Sequence, residues 1–252
     1  MTALCEVCDH NVFHEIAVAR EYTDDQPLHV CMNCGMVQVI TRRSAKEIYE
    51  DWIGQSPGDD VYLSADAAVA ARHAYVARFV DFGRNPQIID IGSGDGAFEG
   101  ELFWSSASVE SWHLMAEDIE DADYDFATIL WTLENCGNAN AVIEAAHRAT
   151  KDDGYVVVAT GSRIMVPFKK PLNCYLGPAP LDLHPWRFSA NTLVNLLARH
   201  GFKTVETNRY IDSDYLVVVA RKTSEKLAYP VDDYKKVLDF FTRWHKESQY
   251  YN

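Results

Sequence analysis

The stretch "PQIIDIGSGDG", residues 86–96, limits the fold more than any other part of the chain. An apolar run of strand length ends in an acid, Asp90, and passes directly into Gly92, Gly94 and Gly96. Glycines at the tip of a strand let a ligand approach the backbone closely, which is how open α/β sheets build a site at their carboxyl edge. Gly92-x-Gly94-x-x-Ala97 formally satisfies a dinucleotide fingerprint. The acids oppose that reading, because Asp90 and Asp95 would face a pyrophosphate with like charge. A ligand with cationic groups reverses the sign. S-adenosylmethionine, with its sulfonium and its ammonium, meets the requirement.

The flanking pattern agrees with an α/β sheet. "SADAAVAARHAYVARFV" from Ser64 reads as an Ala-rich helix ahead of the glycine motif, and "DFATILW" as a strand after it. A helix is predicted over 139–150, a turn at "KDDG" and a strand at "YVVVATG". After a long Pro-containing segment, 164–187, a helix starts at N-cap Ser189 and ends at Gly201, followed by strands "KTVETNRY" and "YLVVVARK". Alternating strands and helices predict a mostly parallel sheet covered on both faces. In the tail, Tyr234, Val237, Leu238, Phe241 and Trp244 share one helical face, which packs on the chain's own body or on a second subunit.

Four of the six cysteines form two C-x2-C pairs, Cys5/Cys8 and Cys31/Cys34, with 22 residues between them. The N-terminus lacks a basic and apolar leader, so a cytoplasmic protein is expected, where such pairs ligate metal rather than form disulfides. Four thiolates suit a closed, structural Zn2+ site, and Gly35 suits the turn of the second knuckle. Residues 1–43 are read as this ribbon, whose few strands, "VFHEIAVAREY" and "MVQVITR", bury little without the metal. Its six acids against three arginines give net −3, and the whole chain carries −14. That charge argues against nucleic-acid binding and against an anionic membrane surface, and no segment approaches 18 apolar residues. Cys136 and Cys174 read as buried inert thiols.

"IIDIGSGDG" resembles motif I of class I S-adenosylmethionine-dependent methyltransferases. "YDFATILWTLENC", "ATKDDGYVVVATG" and "WRFSANTLVNLLARHGF" are similar to the motifs that follow it in that family. The resemblance covers about residues 85–222. With a four-cysteine module ahead and a helical linker (44–84, opened by the capping-box pair Ser44 and Glu47) between, the layout resembles zinc-containing sugar C-methyltransferases. It implies a Rossmann-like sheet with an N-terminal zinc ribbon and a C-terminal helix (223–252). It implies methyl transfer from S-adenosylmethionine to a sugar or nucleotide-sugar. The sheet is expected to be abbreviated after its first strand–helix unit, since only 29 positions separate Gly96 from Asp125, where the family places two strands and a helix.

The resemblance assigns cofactor contacts to Asp90, Gly92, Gly94 and Gly96, with Glu110 as the ribose-binding acid and Asp118 as the acid beside the adenine. His184 in "DLHPWRFS" is the first candidate base, held in an extended backbone by Pro185. Tyr62 resembles a linker tyrosine of the zinc-containing family. His73 reads as a partly buried helix residue before a catalyst. In "LEN", Asn135 stands where the family usually has His, next to Glu134. Arg163, Lys169 and Lys170 form a basic spot for a substrate phosphate or a solvated loop. Two further readings compete: a non-catalytic partner with a degenerate cofactor site, suggested by the short 97–124 segment, and an RNA-modifying enzyme, disfavoured by the acidic ribbon.

Overall fold

The computed structural model of the chain describes residues 3–20, 27–40, 70–80, 85–92, 108–112 (backbone alone), 119–161, 172, 184–208 and 215–248. Near the N-terminus, β1 (Phe13–Glu15), β2 (Leu28–Cys31) and β3 (Val37–Val39) pair antiparallel. The main sheet uses β4 (Gln87–Ile91), β5 (Ser108–Trp112), β6 (Tyr124–Leu130) and, after helix α1 (Ala139–Ala149), β7 (Thr150–Thr160). A short strand β8 (Trp186–Arg187) precedes helix α2 (Ala190–Arg199), β9 (Phe202–Thr207), β10 (Leu216–Lys222) and the terminal helix α3 (Tyr234–Ser248).

Among the described residues the main sheet has six strands in the order β5-β4-β6-β7-β10-β9. The first four run parallel, while β10 lies antiparallel to both β7 and β9. Alternation along the strands divides two apolar faces. Ile89, Ile91, Ala127, Ile129, Val156 and Val158 belong to one core with residues of α1 and α2. Ile88, Phe126, Leu130, Val157 and Ala159 belong to the other, against Val76, Ala77 and Val80 at the end of helical residues 70–79. Strands covered on both sides must be apolar throughout, which is why "VVVA" and "LVVVA" lack alternation in the sequence.

The helix expected from Ser189 forms as read: the Ser189 and Thr192 side chains cap each other's backbone N–H groups in a reciprocal box. The turn expected at "KDDG" does not interrupt the chain. It is drawn into β7, where Asp153 takes φ 64° and the pairing with β6 shifts between Tyr124 and Phe126. Turn-forming residues here make a bulge that lets the strand begin directly after α1.

The ribbon is stitched into the core at several points. Cys5, Val7, Cys31, Cys34 and Met36 share one apolar cluster with the α1/α2 face of the sheet. β8, in a segment whose sequence shows no strand pattern, pairs with β3 as Val37↔Arg187 and Gln38↔Trp186, completing a four-stranded sheet β1-β2-β3-β8. The Val39 N–H also donates to the Pro185 carbonyl at 3.0 Å. At the first knuckle, the Asn140 amide donates to the Glu6 carboxylate at 2.6 Å, and His200 Nε2 lies 2.6 Å from Asn140 Oδ1. Arg199 donates to the Val7 carbonyl and pairs with Asp9. At the second, Gly35 adopts φ 76°, and a Cβ there would sit 2.5 Å from the Asp232 Cβ. The Asp232 N–H donates to the Cys34 carbonyl at 3.0 Å, and its carboxylate accepts from Ser189 and Asn191. One aspartate thus joins the knuckle, the α2 cap and the approach to α3.

The apolar face of α3 is covered by its own chain: Val237, Phe241 and Trp244 pack with Ile16, Leu28 and Val30 of the ribbon. No helix of the described residues is long and apolar enough to cross a membrane.

Two imidazoles respond to acid, His200 beside the first knuckle and His147 at the end of α1 against Phe202. Burial, against the opposing pull of Glu144, holds His200 below the usual 6.5; burial with the nearby Lys222 charge does the same for His147. A depressed folded-state value means that the unfolded chain binds the proton more readily. The contribution is therefore complete above about pH 6.5 and is lost as pH falls through and below it. Thermal unfolding followed from pH 8 to 5 is expected to show a falling midpoint below that pH, with a shallower slope in His200→Gln, whose amide still reaches Asn140.

Candidate functional site

The chain leaves β4 toward β5 on one side and returns to β6 on the other, so the strand order reverses between β4 and β6. In open α/β sheets the carboxyl ends at such a reversal frame the binding crevice. Asp90 and Gly92 arrive there from β4, and residues 131–136 from β6.

Gly92 is required by both backbone and space. Its φ is 98°, and a Cβ would lie 2.2 Å from Thr132 Cγ2. The bare backbone at the tip of β4 therefore packs against the residue that follows β6. Asp90 is fully buried and stands beside Thr128 in the register, and Thr128 Oγ1 donates to Asp90 Oδ1 at 2.6 Å. Alternation puts both on the face that otherwise holds Ile88, Phe126 and Leu130. A carboxylate in such a place needs hydrogen-bond donors to remain charged, and Thr128 supplies one.

Past β6 the backbone turns sharply. Trp131 takes φ 50°, unusual for a bulky residue, while its N–H donates to the Ala159 carbonyl at 2.7 Å. Its indole lies under the Arg72 guanidinium, 5.3 Å from the ring centroid, with Tyr215 edge-on at 5.9 Å and His73 at 6.3 Å. His73 is buried on its helix, as its spacing suggests. Residues 132–136 then form a single helical turn, the Asn135 and Cys136 N–H groups both donating to the Thr132 carbonyl.

His184 is brought to this turn from 49 residues away: its Nδ1 bonds Asn135 Oδ1. The Asn135 Nδ2 donates to the Trp131 carbonyl at 2.9 Å, and Arg187 Nη1 donates to the His184 carbonyl at 2.7 Å. His184 is half-buried at the carboxyl end of β6. Cys136 is buried, and burial followed by the charges of Glu6 and Glu134 pushes its thiol up, so it stays protonated and inert.

The four ribbon sulfurs converge. The Sγ atoms of Cys5, Cys8, Cys31 and Cys34 lie within 4.8 Å of one another, at 3.6 Å for Cys5–Cys34 and 3.5 Å for Cys8–Cys31. A tetrahedral thiolate site with metal–sulfur bonds of about 2.3 Å has edges of about 3.8 Å. Hydrogen bonding inside the cluster splits the protons unevenly. Cys31 pushes Cys8 down, Cys31 and Cys5 push Cys34 up, and Cys31 itself is lowered to about 6 by Cys34. Four sulfurs this close can hold a divalent cation as their common counter-charge.

Of the other residues expected at the site, Gly94, Gly96, Tyr62, Asp118, Arg163, Lys169, Lys170 and Cys174 lie outside the described residues. Glu110 falls in the middle of β5, in register with Ile89 and next to the Asp90↔Ser111 pair. Thr128, Trp131 and Thr132 were not singled out in the sequence. A lone hydroxyl within the apolar run "FATILW" is a signal for Thr128, whereas a tryptophan at positive φ announces itself in no local pattern.

Gly92→Ala is expected to cost about 1–3 kcal/mol of stability from strain at a left-handed backbone together with the Thr132 overlap. Chemical denaturation of Gly92→Ala, Thr132→Ala and the double variant separates the two causes. The double variant should recover the steric part of the loss and retain the backbone part.

Residues 65–207 match the family profile described as Methyltransferase domain. Solved structures share the fold. A 1,6-didemethyltoxoflavin-N1-methyltransferase from Burkholderia thailandensis, with 1,6-didemethyltoxoflavin and S-adenosylhomocysteine bound, is 15% identical at TM-score 0.54, covering 77% of this chain and 98% of that one. A possible histamine N-methyltransferase from Thermotoga maritima is 16% identical at TM-score 0.50, covering 70% and 99%. An N,N-8-amino-8-demethyl-D-riboflavin dimethyltransferase from Streptomyces davawensis is 20% identical at TM-score 0.50, covering 72% and 62%. No curated protein matches the sequence. With more than half of its length inside the matched domain, and with the glycine-tipped strand at the sheet's reversal point, the chain belongs to the methyltransferase-domain family and has the Rossmann-like fold of S-adenosylmethionine-dependent methyltransferases.

Proposed function

We propose that the protein transfers a methyl group from S-adenosylmethionine to a small-molecule acceptor, with a structural Zn2+ held by Cys5, Cys8, Cys31 and Cys34. The observation that carries this reading is the pairing of a buried acid, Asp90, with the positive-φ Gly92 at the reversal of the sheet. Gly92 lets the tip of β4 turn and pack on Thr132, and the carboxylate beside it favours a cationic ligand over a diphosphate. Gly94, Gly96, Glu110 and Asp118 are proposed as further cofactor contacts.

S-adenosylmethionine supplies a methyl carbon already activated by positively charged sulfur. In the transfer the carbon–sulfur bond breaks as the bond to the acceptor's nucleophilic atom forms, and the acceptor's proton must leave. The protein's share is alignment in a dry crevice and removal of that proton. His184 is assigned as the base that receives it, with Tyr62 as a second candidate. Thr132, buried just after β6, packs its side chain against Gly92 at the tip of β4.

The acceptor is read as a sugar or nucleotide-sugar from the arrangement of a four-cysteine ribbon ahead of the core. Heteroaromatic amines form the second class, because two structures of the same fold are named for toxoflavin and riboflavin acceptors. Metal content and calorimetric titration of the purified full-length protein test the reading. One zinc per chain and micromolar binding of S-adenosylmethionine, abolished in Asp90→Ala, are expected. Absence of binding at millimolar cofactor, with zinc present, would assign the protein instead as a non-catalytic partner. Methyl transfer from labelled cofactor to one of the two acceptor panels then decides the substrate class.

A further inference from the structure

We infer that Asn135 is a positioning residue for His184, fixing the tautomer of the imidazole so that Nε2 is the nitrogen that accepts the acceptor's proton; this rests on His184 being the base. An asparagine amide can bond a histidine in two ways, depending on which end it presents. Here the choice is made by the backbone. The Asn135 Nδ2 donates to the Trp131 carbonyl at 2.9 Å, so Oδ1 is the end that meets His184. An amide oxygen only accepts, so His184 Nδ1 must carry the hydrogen and Nε2 the lone pair.

The unusual backbone around Asn135 serves the same arrangement. Trp131 at φ 50° presents its carbonyl to the side chain four residues on, while the Asn135 N–H closes the turn on the Thr132 carbonyl at 2.9 Å. The amide is thus held at both its backbone and its tip. His184 is held from the other side: its carbonyl accepts from Arg187, and the Pro185 carbonyl accepts from Val39 of the ribbon. The bond from the ring to Asn135, with the His184 and Pro185 carbonyls both held, leaves little freedom in where Nε2 lies.

The neutrality of Asn135 also matters. An aspartate in its place would accept the same hydrogen but would stabilise the imidazolium, raising the histidine's pKa and keeping it protonated at neutral pH. An amide selects the tautomer without that bias. The charged side chains on the two segments that meet here, 131–138 and 184–189, are Glu134 and Arg187, and β3 adds none between Val37 and Val39. Asn135 therefore sets the orientation of the base while those two groups stay constant in the comparison below.

Imidazole nitrogen NMR on the full-length, metal-loaded protein reads this directly. Wild type is expected to show His184 as the Nδ1–H tautomer when neutral. Asn135→Asp should keep that tautomer, raise the His184 pKa and move the acid limb of kcat/KM to higher pH. Asn135→Leu should lose the tautomer preference and lower kcat about 10–100-fold, the size seen when the hydrogen-bond partner that orients a metal-ligating histidine is removed. Cofactor affinity in both variants should equal that of wild type, which controls for folding. A neutral His184 protonated on Nε2 in wild type, or an acid limb and His184 pKa that do not move in Asn135→Asp, would overturn the assignment. The premise has its own test: full activity in His184→Gln rejects the base, whatever the tautomer measured in wild type.

Discussion

The pairing of β3 with β8 is the interaction on which the site depends. It is only two residues long, Val37 with Arg187 and Gln38 with Trp186, yet it joins the cysteine ribbon to the segment that carries His184. Trp186 is fully buried, and its indole N–H donates to the Cys136 carbonyl at 2.6 Å, so the same strand is anchored to the turn behind β6. A two-residue strand with no helix of its own cannot hold a side chain to ångström tolerance. Paired to the ribbon and anchored to the sheet's carboxyl edge, it can. The ribbon is therefore built into the core rather than appended to it.

The cysteine cluster gains from this arrangement as well. Three short strands and two knuckles bury little apolar area alone, and small modules of that kind need a metal or a partner surface. Here the core itself supplies the partner surface, and the four sulfurs converge as a metal site would need. Cys5, Cys31 and Cys34 are fully buried against the core, Gly35 brings its backbone against Asp232, and α3 closes the opposite face with Phe241 and Trp244. The four sulfurs crowd within 4.8 Å of one another, and the proposed cation would be their common counter-charge.

Much of this was legible in the sequence, and the misses have physical causes. Long apolar runs bounded by glycine, an N-cap at Ser189 and the amphipathic face of the tail each specify an element locally, and those elements form at or near the expected positions. The glycine-tipped strand and the two cysteine pairs disclosed the strand at the sheet's reversal point and the sulfur cluster, because each needs particular residues at short spacing. Three features escaped. β8 is too short to show a period and exists only because β3 offers it an edge. "KDDG" has turn composition, but a bulge uses the same residues. The Trp131–Asn135–His184 arrangement joins residues 49 apart through side-chain bonds, and no spacing rule reaches that far.

With the proposed Zn2+ bound, the ribbon holds the His184 segment against the sheet through the pairing of β3 with β8. Hydrogen exchange of the full chain, before and after a chelator removes the cation, tests it most directly. Loss of protection at β3 and across residues 184–189, with the amides of β4 and β6 still protected, is the predicted result. Unchanged protection at 184–189 once the metal has been removed would contradict it.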